Sequence, residues 1–357
     1  MSQKNETATL AIALLVTLGL IGGGIWLFRG QLGQLFSQSS DSSVRDAAES
    51  PTTGSSDTSP QRIDLSGFAR VSDIPDGVFN YGGSSTWVPL RQTVDTVVNE
   101  TQPSFELRYV NPLDGIPSSG SGIRMLLDDQ LAFAQSSRPL KDEEYDRAKQ
   151  RGITLKQVPV AIDGIAIAVH PELDVAGITI AQLKQIYTGN VTNWNQVGGP
   201  NLPVVPVSRS PESGGTVEFF IANVLGGEAL APDVKLVSTT TQALREVGNN
   251  PGSIYYASAP EVVPQCTIKP LPVGRSADNL VPPYQEPLVP ASDCPTQRNQ
   301  LNAEAFQNAN YPITRRLFVI IKQNGQIDER AGEAYAQLLL TAPGQELIRQ
   351  AGFVSIR

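Results

Sequence analysis

Histidine is almost absent from this chain: His170 is the single one among 357 residues. That leaves little material for a histidine metal site or for a hydrolytic triad, whose base is an imidazole. Cysteine is nearly as scarce, with Cys266 and Cys294 alone, and neither has a histidine close in sequence to make it a catalytic thiolate. Positive charge is short as well. Lys and Arg number 27 against 35 Asp and Glu, for a formal net charge of −8, and no Lys/Arg block of the kind that tracks nucleic acid occurs. Nucleic acid is thus excluded as a partner. There is no GxxxxGK[ST] run, and no GxGxxG follows a strand, so no nucleotide cofactor is indicated. An enzyme would need a metal cluster or an activated nucleophile, and the residue inventory offers neither.

What is present is a globular, loop-rich composition: 40% hydrophobic, 17% charged, with 31 Gly and 27 Pro. The length suffices for two domains and a sizeable core. Residues 8–28, "ATLAIALLVTLGLIGGGIWLF", are 21 uncharged, mostly apolar positions, long enough to span a bilayer as a helix. Residues 1–30 therefore read as an uncleaved signal anchor or a cleaved signal peptide, with Trp26 and Arg29 as interfacial residues. Residues 31–62 read as a linker, because 37–60 are rich in Ser, Thr, Asp and Pro with almost nothing to bury, the composition of a solvated tether. An exported chain with two cysteines reads as one disulfide, Cys266–Cys294, bracketing a Pro-rich excursion.

From about residue 75, short apolar runs alternate with amphipathic segments, which predicts an α/β architecture. Strands are expected at 105–110, 130–137, 252–258 and 315–322, and a further one in "LPVVPVSR" delivers Arg209 at its end. In 158–171 two β-rich runs appear separated by Asp163-Gly164, with His170 a surface residue at the strand end. "KDEEYDRAKQRG" reads as a solvated helix, charged all round and ending at Gly152. "TIAQLKQIYTG" has Thr179 as N-cap and Gly189 just past the end, and residues 329–352 supply two closing helices.

Three segments share one design, a strand followed by a Gly/Ser/Thr-rich turn and an amphipathic helix: "NYGGSSTWVP" (80–89), "IPSSGSGIRM" (116–125) and "SRSPESGGTV" (208–217). A helix N-terminus presents unpaired N–H groups and partial positive charge. Hydroxyls add donors there, and glycine admits a ligand to the backbone. One such turn is ordinary capping. Three, one of them carrying Arg209, point to a shared anion.

Along most of residues 75–357 the sequence resembles the PstS family, the phosphate-binding proteins of high-affinity phosphate ABC transporters, in the SphX-like variety found in cyanobacteria. "ITIAQLKQIYTGNVTNWNQVGG" carries the likeness furthest, with "DGIAIAVHP", "RSPESGGTVEFF", "NNPGSIYY", "YPITRRLFV" and "GQELIRQAGFV" in the same order. The resemblance implies a two-lobed periplasmic binding protein of type II that closes on a tetrahedral oxyanion. One lobe would be discontinuous (63–159 plus 270–357) and the other continuous (160–269). Carried over by position, the ligand contacts fall on Ser85 and Thr86, on Ser119 with Ser121 as the alternative, on Arg209, and on Ser213, Gly214 and Gly215, with Thr216 the nearest replacement for a threonine hydroxyl.

Two positions depart from the family's pattern. Its proton-accepting aspartate falls on Ser137 in "FAQSS", and the aspartate paired with its arginine falls on Pro211, next to Glu212. Hydrogen phosphate carries a proton that wants an acceptor, whereas sulfate carries none. Glu212 is the expected substitute carboxylate. The function implied is periplasmic phosphate binding with delivery to an ABC permease, by a protein tethered to the plasma membrane through residues 8–28. The alternative is an oxyanion sensor or reserve binder not coupled to transport.

Overall fold

Two long strands hold the architecture together. In the computed structural model they are Thr154–Val169 (β4), of 16 residues, and Thr314–Gln323 (β12), of 10. The structure describes residues 63–211 and 214–356. The apolar stretch 8–28, the tether, Glu212 and Ser213 lie outside the described residues. Among those described, no helix is long and apolar enough to cross a membrane.

The remaining strands, in chain order, are β1 (Gly77–Gly83), β2 (Phe105–Tyr109), β3 (Phe133–Ser136), β5 (Ile178–Thr179), β6 (Val205–Arg209), β7 (Lys235–Val237), β8 (Ser253–Ser258), β9 (Lys269–Leu271), β10 (Val273–Gly274), β11 (Leu280–Val281) and β13 (Val354–Ser355). They form a sheet of order β2-β1-β3-β12-β4-β8-β6-β7, with β9 and β13 added to β4, and a small sheet β11-β10-β5. The β1–β2, β1–β3, β6–β7 and β6–β8 pairs are parallel, as strand–helix–strand crossovers require. β12 runs antiparallel to β3 and to β4.

β4 serves both halves of the molecule. Its first part, up to Gly164, pairs with β12; its second, Ile165–Val169, pairs with β8 and β9. The Asp163-Gly164 pair thus lies inside one continuous strand instead of separating two. Gly164 is there for close approach, not for a turn: a Cβ on it would meet the Phe306 ring at 2.6 Å. On either side of this junction sits an apolar core. One gathers Phe79, Tyr81, Trp87, Phe105, Phe133 and Tyr335; the other gathers Ile167, Leu183, Trp194, Phe220, Tyr256 and Leu271. Ile165 to Val169 are all fully buried, which is why this run reads as unbroken hydrophobic residues, as in a central strand covered on both faces. The result is a mixed α/β, two-lobed fold.

The helices follow the local signals. A helical run over 85–101, here α1, opens as a tight turn at Ser85–Trp87 and includes a π-helical stretch at Arg91–Asp95. Next come α2 (Ser119–Leu127), α3 (Asp142–Gln150), α4 (Ile180–Tyr187), α5 (Gly215–Asn223), α6 (Thr240–Asn249), α7 (Ala259–Val262), α8 (Ala303–Gln307), α9 (Ile327–Leu340) and α10 (Ala342–Gln350). At α4, Thr179 and Gln182 make a reciprocal cap, and Gly189 has φ 81° beyond its end. α3 departs from the sequence reading. Its Glu144 and Ala148 are buried, and Glu144 meets Arg138 at 2.7 Å. A guanidinium buried beside β3 needs an opposite charge, and α3 supplies it. Cys266 and Cys294 are bonded, with Cα atoms 5.6 Å apart. The Pro-rich excursion between them is not bare loop, since it carries β9, β10 and β11.

Candidate functional site

The starts of α1, α2 and α5 meet. Ser84, just before α1, donates to Ser137 Oγ at 2.9 Å and accepts the Thr86 N–H. Ser119, the first residue of α2, accepts the Ser137 N–H at 3.0 Å, and its Oγ lies 3.3 Å from Ser137 Oγ. All three serines are buried. Gly215, the first residue of α5, closes on them from the other lobe. A Cβ there would lie 2.4 Å from Ser137 Oγ and 3.0 Å from Ser119 Oγ. Gly214, at φ 126°, caps α5 in a conformation that side-chain-bearing residues rarely adopt, and a Cβ on it would come within 3.8 Å of Ser85 Oγ. Backbone and hydroxyl donors from three helices thus converge on one small volume.

Arg209 ends β6 beside this point. It lines a cavity of about 320 Å³ together with Ser85, Thr86, Thr216, Tyr255 and Glu261. The cavity also reaches the start of α6, where Ser238, Thr239, Thr240 and Thr241 form a fourth hydroxyl-rich helix opening. A larger and more apolar groove of about 880 Å³ borders Arg138, Phe219, Phe306 and Arg315, but neither the three serines nor Arg209 line it. Glu261 is half-buried. Burial pushes its carboxyl up and the Thr240 hydroxyl beside it pulls it down; Asp163 adds to the rise, while Arg209 and Arg315 oppose it.

Behind the cavity lies an ion pair that the sequence does not announce. Asp163 and Arg315 face each other in the β4–β12 ladder, with side chains 0% and 1% exposed. Arg315 Nε donates to Asp163 Oδ2 at 2.9 Å, and Nη2 lies 2.8 Å from the same oxygen. Nη2 also donates to Thr86 Oγ1 at 3.1 Å and to Thr216 Oγ1 at 2.8 Å; these two hydroxyl oxygens are 3.4 Å apart. Among the described residues Arg315 Nη1 is buried without a hydrogen-bond partner. On the other side of the pair, Ser258 donates to Asp163 Oδ1 at 2.5 Å. Burial pushes the Asp163 carboxyl up, against the lowering pull of Arg315, Ser258 and the Ala259 N–H.

The residues singled out from sequence are therefore placed as follows. Ser85, Thr86, Arg209 and Thr216 line the cavity, while Ser119, Ser137 and Gly215 form the serine web next to it, with Gly214 at Ser85. Ser121 is committed elsewhere: it accepts the Ser118 N–H at 2.8 Å, and Ser118 Oγ accepts the Ser121 N–H at 3.0 Å, a reciprocal cap. Glu212 and Ser213 lie outside the described residues. Sequence reading missed Asp163, Arg315, Glu261 and the 238–241 helix start. Only the last had a local signal, three threonines and a serine before an amphipathic run. Among the described residues no group of His, Cys, Asp and Glu is arranged to hold a metal.

A model of the PBP superfamily domain matches residues 50–343, and the chain belongs to that superfamily, one of substrate-binding proteins. Among individual relatives, a phosphate-binding protein PstS from Staphylococcus epidermidis is 26% identical over 281 residues, covering 76% of this chain and 77% of its own. A Clostridium perfringens ABC-transporter substrate-binding protein solved with bound phosphate superposes with a TM-score of 0.61 at 24% identity, over 79% of this chain and all of that one. An ABC-type phosphate transport receptor from Vibrio cholerae gives 0.60 at 21% identity, over 77% of this chain and 99% of its own. These two likenesses are of fold.

Proposed function

We propose that this protein binds inorganic phosphate outside the plasma membrane and delivers it to an ABC permease. The observation that carries the reading is the meeting of three helix starts, with Gly215 packed on Ser119 and Ser137, beside a cavity lined by Arg209. Such a site binds a tetrahedral oxyanion through N–H and O–H donors and one fixed cation, so the net charge of −8 is no obstacle. Charge-assisted bonds contribute roughly 1.5–3 kcal/mol each, and six or more support micromolar or tighter binding after ordering costs. The PstS relatives and the phosphate-bound fold neighbour support phosphate as the anion.

The ligand contacts in this reading are Ser85, Thr86, Ser119, Ser137, Arg209, Ser213, Gly214 and Gly215, with Thr216 supplying the replacement hydroxyl. The acceptor for the phosphate proton is a glutamate: Glu212 by its place beside Arg209 in sequence, or Glu261 by its place in the cavity wall. The lobes divide as 63–159 plus 270–357 and 160–269, and residues 8–28 tether the protein. No catalysis is proposed. The test is calorimetric titration of the full chain with phosphate and sulfate from pH 5 to 9. Phosphate should bind at micromolar levels or tighter, and the Gln variant at the acceptor, Glu212 or Glu261, should flatten the pH dependence and narrow the phosphate-over-sulfate preference. No heat with millimolar phosphate would sink the reading, as would phosphatase activity with or without added metals.

A further inference from the structure

We propose that the buried Asp163–Arg315 pair is a clasp that sets the polarity of the anion site, holding Thr86 and Thr216 as hydrogen-bond donors toward the ligand. The inference rests on the phosphate reading above. A threonine hydroxyl has one proton and two acceptor lone pairs, whereas a guanidinium only donates. Arg315 Nη2 occupies an acceptor position on both Thr86 Oγ1 and Thr216 Oγ1. Neither hydroxyl can then point its proton back at Arg315. The 3.4 Å separation of the two oxygens admits at most one of the two protons into a weak mutual bond. At least one O–H is therefore directed away, and both residues line the cavity that holds Arg209.

Position argues for the same role. Thr86 belongs to α1 and Thr216 to α5, so a single nitrogen ties the two facing helix starts across the cleft. Asp163 fixes the guanidinium by accepting from Nε, with Nη2 2.8 Å from the same oxygen, and Ser258 fixes Asp163 in turn. A pair kept only for stability is an expensive choice here. Apolar residues of similar volume serve as well in a core, and Arg315 Nη1 remains buried without a partner among the described residues. Because the pair is neutral as a whole, it orients donors without adding net charge to the site.

The test is a double-mutant cycle on the full chain, reading phosphate dissociation constants by calorimetry and folding by thermal melts. The Asp163→Asn/Arg315→Gln variant, which removes both charges together and leaves neither buried alone, should melt close to the unaltered chain and bind phosphate about 10- to 100-fold more weakly. Thr86→Val should cost about tenfold in the unaltered chain and less than about twofold in the double variant, because the clasp no longer orients that hydroxyl. A purely structural pair would leave the Thr86→Val factor equal on both backgrounds. That equality, or a double variant within about threefold of the original affinity, overturns the clasp while phosphate binding stands. If the unaltered chain binds no phosphate, both readings fall. Should the double variant not fold, Arg315→Lys, which keeps the charge but loses the fork, replaces it in the same cycle.

Discussion

The two walls of the site solve one problem with different materials. On one side, Ser84, Ser119 and Ser137 form a neutral, buried web of hydroxyls. On the other, Asp163 and Arg315 form a buried ion pair that reaches Thr86 and Thr216. Short polar side chains can be packed at helix starts at modest cost, because capping and backbone N–H groups satisfy them locally. A buried charge cannot be left alone; it needs its partner from a distant part of the chain. The difference teaches that the neutral wall is the tolerant one and the charged wall the brittle one.

The largest effect should come from splitting the pair. Asp163→Ala leaves Arg315 buried without its counter-charge and should cost about 3–5 kcal/mol of stability, read as a lowered melting temperature and denaturation midpoint. A loss under about 1 kcal/mol would make the two walls equivalent and end the contrast.

Asp95 is a second buried carboxylate, held by two tyrosine hydroxyls. It accepts from Tyr81 and from Tyr335, the latter at 2.8 Å, and burial pushes its carboxyl up to about 6, against the lowering pull of the two tyrosine hydroxyls and of Arg91. Because the folded value lies above the ordinary 3.8, protonation favours the folded state, so this contribution is full below about pH 4 and is lost as pH rises through about 6. Asp95→Asn should therefore gain on the unaltered chain by up to about 3 kcal/mol between pH 4 and pH 7. A stability difference that stays flat across that range would show that the hydroxyls alone keep the carboxylate ionised.

On the neutral wall, Gly215→Ala places a methyl 2.4 Å from Ser137 Oγ and should push α5 away from the web, weakening phosphate roughly tenfold with folding retained. Unchanged affinity would mean that the helix start does not have to close so tightly. The smallest effect is expected for Ser137→Ala. It removes hydrogen bonds within the web and should cost about 1 kcal/mol in stability or binding. A loss as large as that of Asp163→Ala would reverse the ranking of the walls.

Much of this was legible residue by residue. Thr179, Gly189 and the glycines of the three turns announced helix ends through local chemistry, and "RRLFVIIK" announced a strand. The serine-rich helix starts and Arg209 at a strand end carried the anion signal, because capping and strand termination are decided within a few neighbours. Asp163-Gly164 was misread as a break because a short polar residue beside glycine is a turn signal when seen alone. Inside the sheet, the glycine makes room for Phe306 and the aspartate meets Arg315. α3 was misread for a related reason: its charge pattern is that of a solvated helix until Arg138 is buried against it.

By itself, then, the sequence determined the class of elements, the likeness to a phosphate-binding family, the disulfide and the crowding of donors at helix starts. Each of these depends on contacts between near neighbours or on a pattern that survives without coordinates. Only the tertiary structure decided which serine faces the web, that Glu261 stands in the cavity wall, and that Asp163 and Arg315, 152 residues apart, share a buried bond. Ion pairing at that separation is a property of strand register, and register is settled by how the two lobes pack around β4 and β12.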